Sequence, residues 1–390
     1  MTAKPSFNRR FIRLQAVQHL YAFYIGKQAN YTGALAQIQA AFIPDVFADS
    51  PVDPTQLTQE AQQARDLFNA TLATRESSPP DLAQIPSRVQ VAVITALTSY
   101  KNELAKDMRK LEQGLAHSVA AMNQACVRIW QLLVEWGHLA QKQTEKPRRA
   151  QRQSMTTSVC LADSPLLQHL QKDSQLAQLV QQERAGWGAH MPLVESWYYQ
   201  FVKKDPTIQR HLADLSIPTQ EQRLLVFLVE EIIFGQAAIQ AFFSEVDLHW
   251  ATHKRLVKKR VRQGLVPSKK NSEKGPTLET FGAAAQWAEA QRFYTDLIHK
   301  VWQQDETLEA LMAQHSNNWA IDRIMLLDKT IIKLALCEMC YFPSIPVKVS
   351  INEYIDIAKT YSIPKSSQFV NGLLDAIANT MRPGEASKKV

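Results

Sequence analysis

Apolar side chains recur at helical spacing through the C-terminal part of the chain. Four residues at i, i+4, i+8 and i+11 define one face of a helix: Val347, Ile351, Ile355 and Ala358. Phe369, Leu373 and Ile377, at i, i+4 and i+8, give the next helix its core face. No segment shows the strict alternation or β-branched density that is typical of a strand. The pattern therefore predicts an all-α fold.

Composition agrees with a helical globular protein. Only 12 of 390 residues are glycine, and 45% are hydrophobic. The net charge of +7 suits a polyanionic partner, but weakly, because many basic proteins bind none. Four cysteines are too few for a disulfide framework in a chain of this length, which indicates a reducing compartment.

Neither a signal peptide nor a membrane span is expected. Arg9, Arg10 and Arg13 interrupt the first apolar stretch, and Glu230 and Glu231 interrupt the longest apolar passages. No passage approaches the roughly 20 apolar residues that span a bilayer. We expect a soluble, cytoplasmic protein without a membrane partner.

Turn residues and apolar periodicity divide the chain into helices and connectors. A mostly apolar helix is predicted over 9–25, and 88–142 predicts two helices or one helix kinked near Gly114. An exposed linker is predicted around 267–272. The remaining predicted helices are 164–184, 191–203, 219–245, 277–301, 305–314, 320–341, 346–361 and 365–381.

The start of the helix over 346–361 has two interpretations. Pro346 suits a first helical turn, whereas Ser350 and Glu353 could form a capping box for a later start. The apolar spacing favours the earlier start.

Three arginines occupy the beginning of the first predicted helix. Arg9, Arg10 and Arg13 fall within about 100° of arc, and their charge opposes the helix macrodipole. The local cost is about a few tenths of a kcal/mol each, which hints at an external anion such as RNA phosphate. The alternatives are a solvated cationic helix end, or ion pairs with acidic residues elsewhere in the chain.

Two ends of the chain together resemble the NusB family of transcription antitermination factors. The N-terminal match is the Arg-rich start followed by Ala16-Val17-Gln18-His19-Leu20-Tyr21. The C-terminal match is Pro346–Glu353 and Phe369–Asp375. The resemblance implies binding of boxA-like single-stranded RNA from ribosomal RNA operons. It also implies partnership with NusE, a small-subunit ribosomal protein, and with elongating RNA polymerase and other Nus factors.

The resemblance assigns RNA-binding residues to both ends. Arg9, Arg10 and Arg13 become the basic RNA contacts, and Tyr21 becomes a candidate for the same surface. The family also places RNA contacts in the turn before the last helix. This adds the candidates Lys365, Gln368 and Phe369.

Phe369 has two interpretations. It can be a stacking platform for an unpaired base, or simply the first core residue of its helix, which periodicity favours. Relatives often carry acidic residues where this chain has Pro364 and Lys365, which puts an unchanged set of contacts in doubt. Asn371 and Gly372 are expected to serve helix packing, with the glycine allowing close approach.

The resemblance implies a NusB-like helical bundle built from the two chain ends, with an inserted second helical module. The predicted segments are 1–26 and 286–383 for the bundle, 27–285 for the insertion and 384–390 for a disordered tail. Long forms of this kind are familiar in the Bacteroidetes type, which the stretch Val127–Trp136 resembles. The basic run Lys254–Arg262 is either an extension of the RNA track or, as favoured, a solvated helix face.

Two motifs resemble chemical sites but lack the required partners. Cys337-Glu338-Met339-Cys340 has no second ligand pair for zinc, and a buried structural role is favoured. His249-Trp250-Ala251-Thr252-His253 lacks the glutamate of a zincin helix. We therefore expect no enzyme, no cofactor and no metal. The alternative functions are a protein-interaction scaffold without specific RNA binding, or an accessory to ribosomal RNA modification, since NusB-like bundles precede some methyltransferase domains.

Overall fold

The computed structural model describes residues 9–44, 53–74, 85–148, 160–213, 215, 217–265, 278, 280–281, 284–316 and 324–380. Every regular element within these ranges is helical, which confirms the all-α fold class. The predicted linker at 267–272 and the predicted tail at 384–390 lie outside the described residues.

Fifteen α-helices occur in the described part of the chain. They are α1 Arg9–Ala40, α2 Pro54–Thr74, α3 Ser87–Arg148, α4 Pro165–Lys172, α5 Ser174–Gln182, α6 Met191–Trp197, α7 Pro206–Ala213, α8 Pro218–Phe227, α9 Ala237–Val246, α10 Trp250–Leu265, α11 Ala284–Gln303, α12 Asp305–His315, α13 Leu326–Tyr341, α14 Val347–Tyr361 and α15 Pro364–Thr380. Short π-helical turns, Tyr198–Val202 and Leu228–Ile233, follow α6 and α8.

The chain forms two compact units. The terminal unit combines Phe7–Leu115 with Ala288–Val390, and the middle unit comprises Ala116–Trp287. The long helix α3 contributes its first part to the terminal unit and its second part to the middle unit. These units group the residues differently from the predicted segments, which begin the insertion at residue 27; those segment boundaries stay a prediction.

Helix α13 is the centre of the terminal unit. It packs against α1, α12, α14 and α15, and Thr330–Met339 are buried without interruption. The buried run includes Cys337, Glu338 and Met339, in agreement with the buried structural role favoured for the motif Cys337–Cys340. Because the run is buried on every side, its two charged residues, Lys333 and Glu338, need partners inside the fold.

Helix α1 continues to Ala40, well beyond the predicted end at residue 25. Its C-terminal half packs with α2 and the first part of α3 around a separate apolar core. That core includes Ile38, Phe68 and Val93. The apolar positions in this half of α1 are sparse, so the prediction stopped too early.

Helix α3 is one helix rather than two. Gly114 lies where α3 approaches α1 and α11 inside the terminal unit. A Cβ there would stand 2.5 Å from His19 Nδ1 and 2.8 Å from the Tyr294 hydroxyl. Glycine at this position therefore permits close packing.

Short helices make up the rest of the middle unit. The helix predicted over 164–184 is divided into α4 and α5, because Ser164 and Asp173 each accept a backbone hydrogen bond as N-caps. The one predicted over 219–245 is divided near Gly235 into α8, its π-helical turn and α9. An aromatic cluster of Trp187, Trp197 and Phe242 fills this unit's core.

The five helices predicted between 277 and 381 are confirmed as α11–α15 within the described residues. Helix α14 begins at Val347 with Pro346 as its N-cap residue, which confirms the earlier start. Gly372 corrects a prediction: it is exposed, and nothing lies within 4 Å of an added Cβ. It therefore permits no close approach to another helix, and Asn371 beside it is also exposed.

No single helix in the described ranges is long and apolar enough to cross a membrane. A bent pair, Thr219–Ile233 with Ala237–Val246, meets the length and composition test only when both helices are taken together across a 72° bend.

Candidate nucleic-acid interface

Arg13 lies in a buried cluster between three helices of the terminal unit. Its Nε and Nη2 donate to Glu338 Oε2 and Oε1 on α13 at 2.8 and 2.7 Å. On α14, the hydroxyls of Ser350 and Tyr354 donate to the same carboxylate at 2.6 and 3.3 Å. Glu353 adds a second carboxylate 3.7 Å from Arg13 Nη1. The cluster fastens the start of α1 to α13 and α14.

The cluster favours a charged arginine and a neutral tyrosine. Burial would lower the pKa of Arg13, but hydrogen bonding to Glu338 and the charge of its carboxylate reverse the effect, so the pKa is raised. Burial, followed by the charge of Glu338, raises the pKa of Tyr354 well above its usual value. Arg13 therefore keeps its charge while the Tyr354 hydroxyl remains a donor.

Arg9 and Arg10 lie on the exposed side of the same helix end. Their side chains are 49% and 47% exposed. Arg9 lies 3.7 Å from Glu289 and 5.6 Å from the centre of the Phe293 ring, both on α11. Arg10 donates to Asp356 on α14 at 3.0 Å. Both guanidiniums thus remain accessible to solvent, and their ion pairs are of the weak surface type.

The end of α14 adds another cation to this surface. Lys359 Nζ lies 3.8 Å from Asp356, the carboxylate that also binds Arg10. Lys359 is exposed, and Tyr361 at the end of the helix is 39% exposed. An arginine, a lysine and an exposed tyrosine therefore lie along the N-terminal end of α1 and the C-terminal end of α14.

The turn into α15 carries the C-terminal candidates. Lys365 and Gln368 are exposed, and Phe369 is half-buried. Val370, Leu373 and Ile377 form the buried face of α15, so Phe369 lies at the edge of the core rather than within it. Helix α14 packs against both α1 and α15, and is the common support for the basic and aromatic candidates. Tyr21 is 36% exposed, three turns along α1 from Arg10.

The expectation that all three arginines contact RNA needs correction at Arg13, which is buried. Arg13 shares a helix face with Ala16, Val17 and Leu20, at i+3, i+4 and i+7, and all four are buried. That apolar face was the signal that could have indicated burial. In this conformation Arg13 is not accessible to RNA phosphate. Ion pairing with acidic residues elsewhere, one of the alternatives, is observed for Arg9, Arg10 and Arg13.

Sequence reasoning missed Lys359 as a member of this surface, and Tyr361 as an exposed aromatic residue at the end of the same helix. Lys359 joins Arg10 through Asp356, which is 346 residues from Arg10 in the chain. Helical periodicity places Lys359 on a polar face but does not indicate which helix lies opposite. For Tyr361, the signal was its position in the break between two helices, where an aromatic side chain can remain exposed.

The two motifs that resemble chemical sites are structural in the described residues. All four cysteines are free, and burial raises the pKa of both Cys337 and Cys340. His253 is buried with Nδ1 2.7 Å from Asp247 Oδ2. No group of three or more potential ligand side chains in the described part of the chain could hold a metal ion.

Comparison with known proteins identifies the family of this chain through its C-terminal part. The sequence profile of the NusB family matches residues 261–379. The transcription antitermination protein NusB of Bacillus pumilus is 39% identical over 94 residues, covering 24% of this chain and 72% of that protein. The chain belongs to the NusB family. The resemblance to this family is thereby confirmed, and the matched segment, 261–379, includes α14 and nearly all of α15.

Two further NusB proteins match over shorter fractions of their length. That of Chloroherpeton thalassium is 43% identical over 93 residues, covering 24% of this chain and 44% of the relative. That of Myxococcus xanthus is 39% identical over 90 residues, covering 23% of this chain and 64% of the relative. The chain thus spans less than two thirds of either relative. The solved structure of T. maritima NusB is 23% identical with a TM-score of 0.24, covering 44% of this chain and 99% of that one.

Proposed function

We propose that this NusB-family chain is an RNA-binding transcription antitermination factor without enzymatic activity. It acts on boxA-like single-stranded RNA of ribosomal RNA operons, together with NusE and with elongating RNA polymerase and other Nus factors. The observation that carries the proposal is the pair of exposed cations, Arg10 and Lys359, that share the carboxylate of Asp356, with an exposed tyrosine, Tyr361, at the end of the same helix α14. Cations beside an exposed aromatic ring are what single-stranded RNA requires.

Each candidate receives a role from its position. Arg9, Arg10 and Lys359 bind phosphate oxygens, for which their accessible positive ends are suited. Tyr361 and the exposed part of Phe369 stack on bases, with Lys365 and Gln368 as polar neighbours. Tyr21, partly exposed further along α1, forms the end of the RNA track. Arg13 acts indirectly, because its buried bonds to Glu338 hold the start of α1 in place.

The carboxylate of Asp356 occupies the place that an RNA phosphate would take between Arg10 and Lys359. A phosphate group that binds Arg10 and Lys359 takes the place of a carboxylate already held by both. Surface pairs of this kind are worth about 0–1 kcal/mol, so replacing one costs little. The free protein thereby keeps two cations side by side without strong mutual repulsion.

The test is binding of a boxA-like RNA and a scrambled control across a salt series, with and without NusE. Lys359→Ala is compared with Lys348→Ala, an exposed lysine on the same helix about 16 Å away at 1.5 Å per residue. We expect Lys359→Ala to reduce the slope of log affinity against log salt by about 0.7, and Lys348→Ala to leave it unchanged. Equal weak binding of both RNAs by the unaltered protein would refute the proposal and favour a scaffold function.

A further inference from the structure

A second feature of the terminal unit is a groove of about 1100 Å³ on the side of α1 away from its basic end. One wall comes from the C-terminal half of α1, from α2 and from the first part of α3. The other wall comes from the end of α11 and the start of α12. The walls from α1, α2 and α3 lie outside the family match at 261–379, so family membership assigns the groove no role.

Aromatic rings line both sides of this groove and are held firmly. Tyr31 and Tyr100 rest on Phe68, with ring centres 6.0 and 6.2 Å away. The Tyr31 hydroxyl also donates to Asn69 at 2.9 Å. Opposite them, the Trp302 ring packs edge-on against Phe23 at 5.2 Å. These contacts fix the orientation of the rings, so the groove is prepared for flat ligands.

The charge of the groove is positive. Lys27 lies over the Trp302 ring at 5.0 Å, and Lys101 contributes a second ammonium group to the lining. The single acid in the lining, Asp305, already accepts from Lys333 at 2.6 Å and from the Tyr24 hydroxyl at 2.8 Å. The lining therefore contains two lysines and one carboxylate that already has partners, and the ligand that complements the groove is an anion with flat rings.

We propose that this groove binds unpaired nucleotides of the same RNA, outside the boxA-like element. The inference rests on the proposed function and extends it to a second binding site. Bases would stack on the exposed parts of the Tyr31 and Trp302 rings, with the buried Tyr100 ring supporting the wall, while Lys27 and Lys101 bind phosphate. The groove volume of about 1100 Å³ slightly exceeds the range of about 300–1000 Å³ for small-ligand pockets, which leaves room for more than one nucleotide.

The test uses the full-length chain and two RNAs, a short boxA-like RNA and the same RNA with a single-stranded extension. The double variant Lys27→Glu/Lys101→Glu is compared with Lys106→Glu, an exposed lysine on α3 outside the groove. For the extended RNA, we expect the double variant to lower the salt slope by about 1.4, or 0.7 for each lost phosphate contact. The short RNA and the Lys106→Glu variant should show no such change.

A second readout locates the RNA directly. With 4-thiouridine in the extension, ultraviolet cross-links should map to peptides containing Tyr31, Tyr100 or Trp302. Absence of these cross-links, with unchanged binding of the extended RNA by the double variant, would overturn the groove proposal. The effect of Lys359→Ala on the short RNA would still support the proposed function, so the two failures are distinguishable.

Two other outcomes also decide against the groove as an RNA site. If the double variant weakens NusE binding while RNA binding is unchanged, the groove belongs to a protein partner. If the unaltered protein binds neither RNA, the proposed function fails and the groove proposal fails with it. Circular dichroism of both lysine variants checks that each retains its helical content.

Discussion

Replacing Arg13 by methionine should destabilise the terminal unit strongly. The change removes the only guanidinium that donates to Glu338 among the described residues, at 2.7 and 2.8 Å, and leaves that carboxylate fully buried. The hydroxyls of Ser350 and Tyr354 stay bonded to it but carry no compensating charge. Breaking a buried pair by removing one partner costs about 3–5 kcal/mol. That is a large part of a typical folding free energy of about 5–15 kcal/mol.

The assay is hydrogen exchange of α13 peptides, which reports the opening free energy of that helix. Because each 1.4 kcal/mol changes an equilibrium constant tenfold, protection should fall by about two to nearly four orders of magnitude. The matched control is Arg10→Met, which removes a half-exposed pair with Asp356 worth about 0–1 kcal/mol. Protection of α13 in that control should fall by no more than about sixfold.

A double variant separates the ion pair from simple loss of packing. Arg13→Met/Glu338→Leu removes both charges, and replacing a buried pair by apolar groups of similar size is often neutral. Most of the lost protection should therefore return. The reasoning is refuted if Arg13→Met lowers the protection of α13 no more than Arg10→Met does. It is also refuted if the loss of stability in the double variant equals the sum of the losses in Arg13→Met and Glu338→Leu alone. RNA binding gives an independent check: a salt slope lowered by about 0.7 in a folded Arg13→Met protein would restore Arg13 as a phosphate contact.

Three further substitutions test the packing of the fold and the titration of a buried tyrosine. Gly372→Ala should stabilise α15 by about 0.5–1 kcal/mol, because the position is exposed and open, whereas Gly114→Ala should destabilise, since its Cβ would meet His19. Burial raises the pKa of Tyr198 to about 12, so the folded state retains a proton that the unfolded state loses near pH 10. The stabilisation from Tyr198 is therefore complete below pH 10 and is lost as pH rises towards 12, and Tyr198→Phe should reduce this fall.

Thermal unfolding followed by circular dichroism measures the glycine variants, and each serves as the other's control. A lower melting temperature for Gly372→Ala would contradict its open surroundings. For Tyr198, the free energy of unfolding is compared between pH 9 and pH 12 in both proteins. Equal losses in the two proteins would show that other groups account for the alkaline destabilisation.

The helices of the C-terminal part could be predicted directly from the sequence, because the spacing of the apolar residues there matches the faces that are buried. The positions Val347, Ile351 and Ile355 predicted one face of α14, and Ile351 and Ile355 are buried. The helix end at residue 25 was predicted wrongly because α1 changes its partners along its length. Its first half packs against α13, and its second half packs against α2 and α3. No local pattern reports a change of partner.

The surface of the candidate site was predictable only in part. Arg9 and Arg10 were predicted as RNA contacts, which stays a prediction, and their exposed side chains are compatible with that role. Arg13 was predicted with them, but its environment depends on Glu338, 325 residues away in the chain. A helical pattern gives the direction of a side chain around the axis, while burial depends on which helix covers that direction. Lys359 was missed for the same reason, since its link to Arg10 passes through a contact between α1 and α14.

The role of Asp356 gives the sharpest test of how this surface would bind RNA. Its carboxylate lies 3.0 Å from Arg10 and 3.8 Å from Lys359, where a phosphate group would bind. Asp356→Asn keeps the size of the side chain and removes the competing charge, so affinity for the boxA-like RNA should rise severalfold at moderate salt. Asp66→Asn, an equal charge change at an exposed position on α2, is the control for net charge alone. If both variants tighten binding equally, the gain comes from net charge, and Arg10 and Lys359 are not the phosphate contacts.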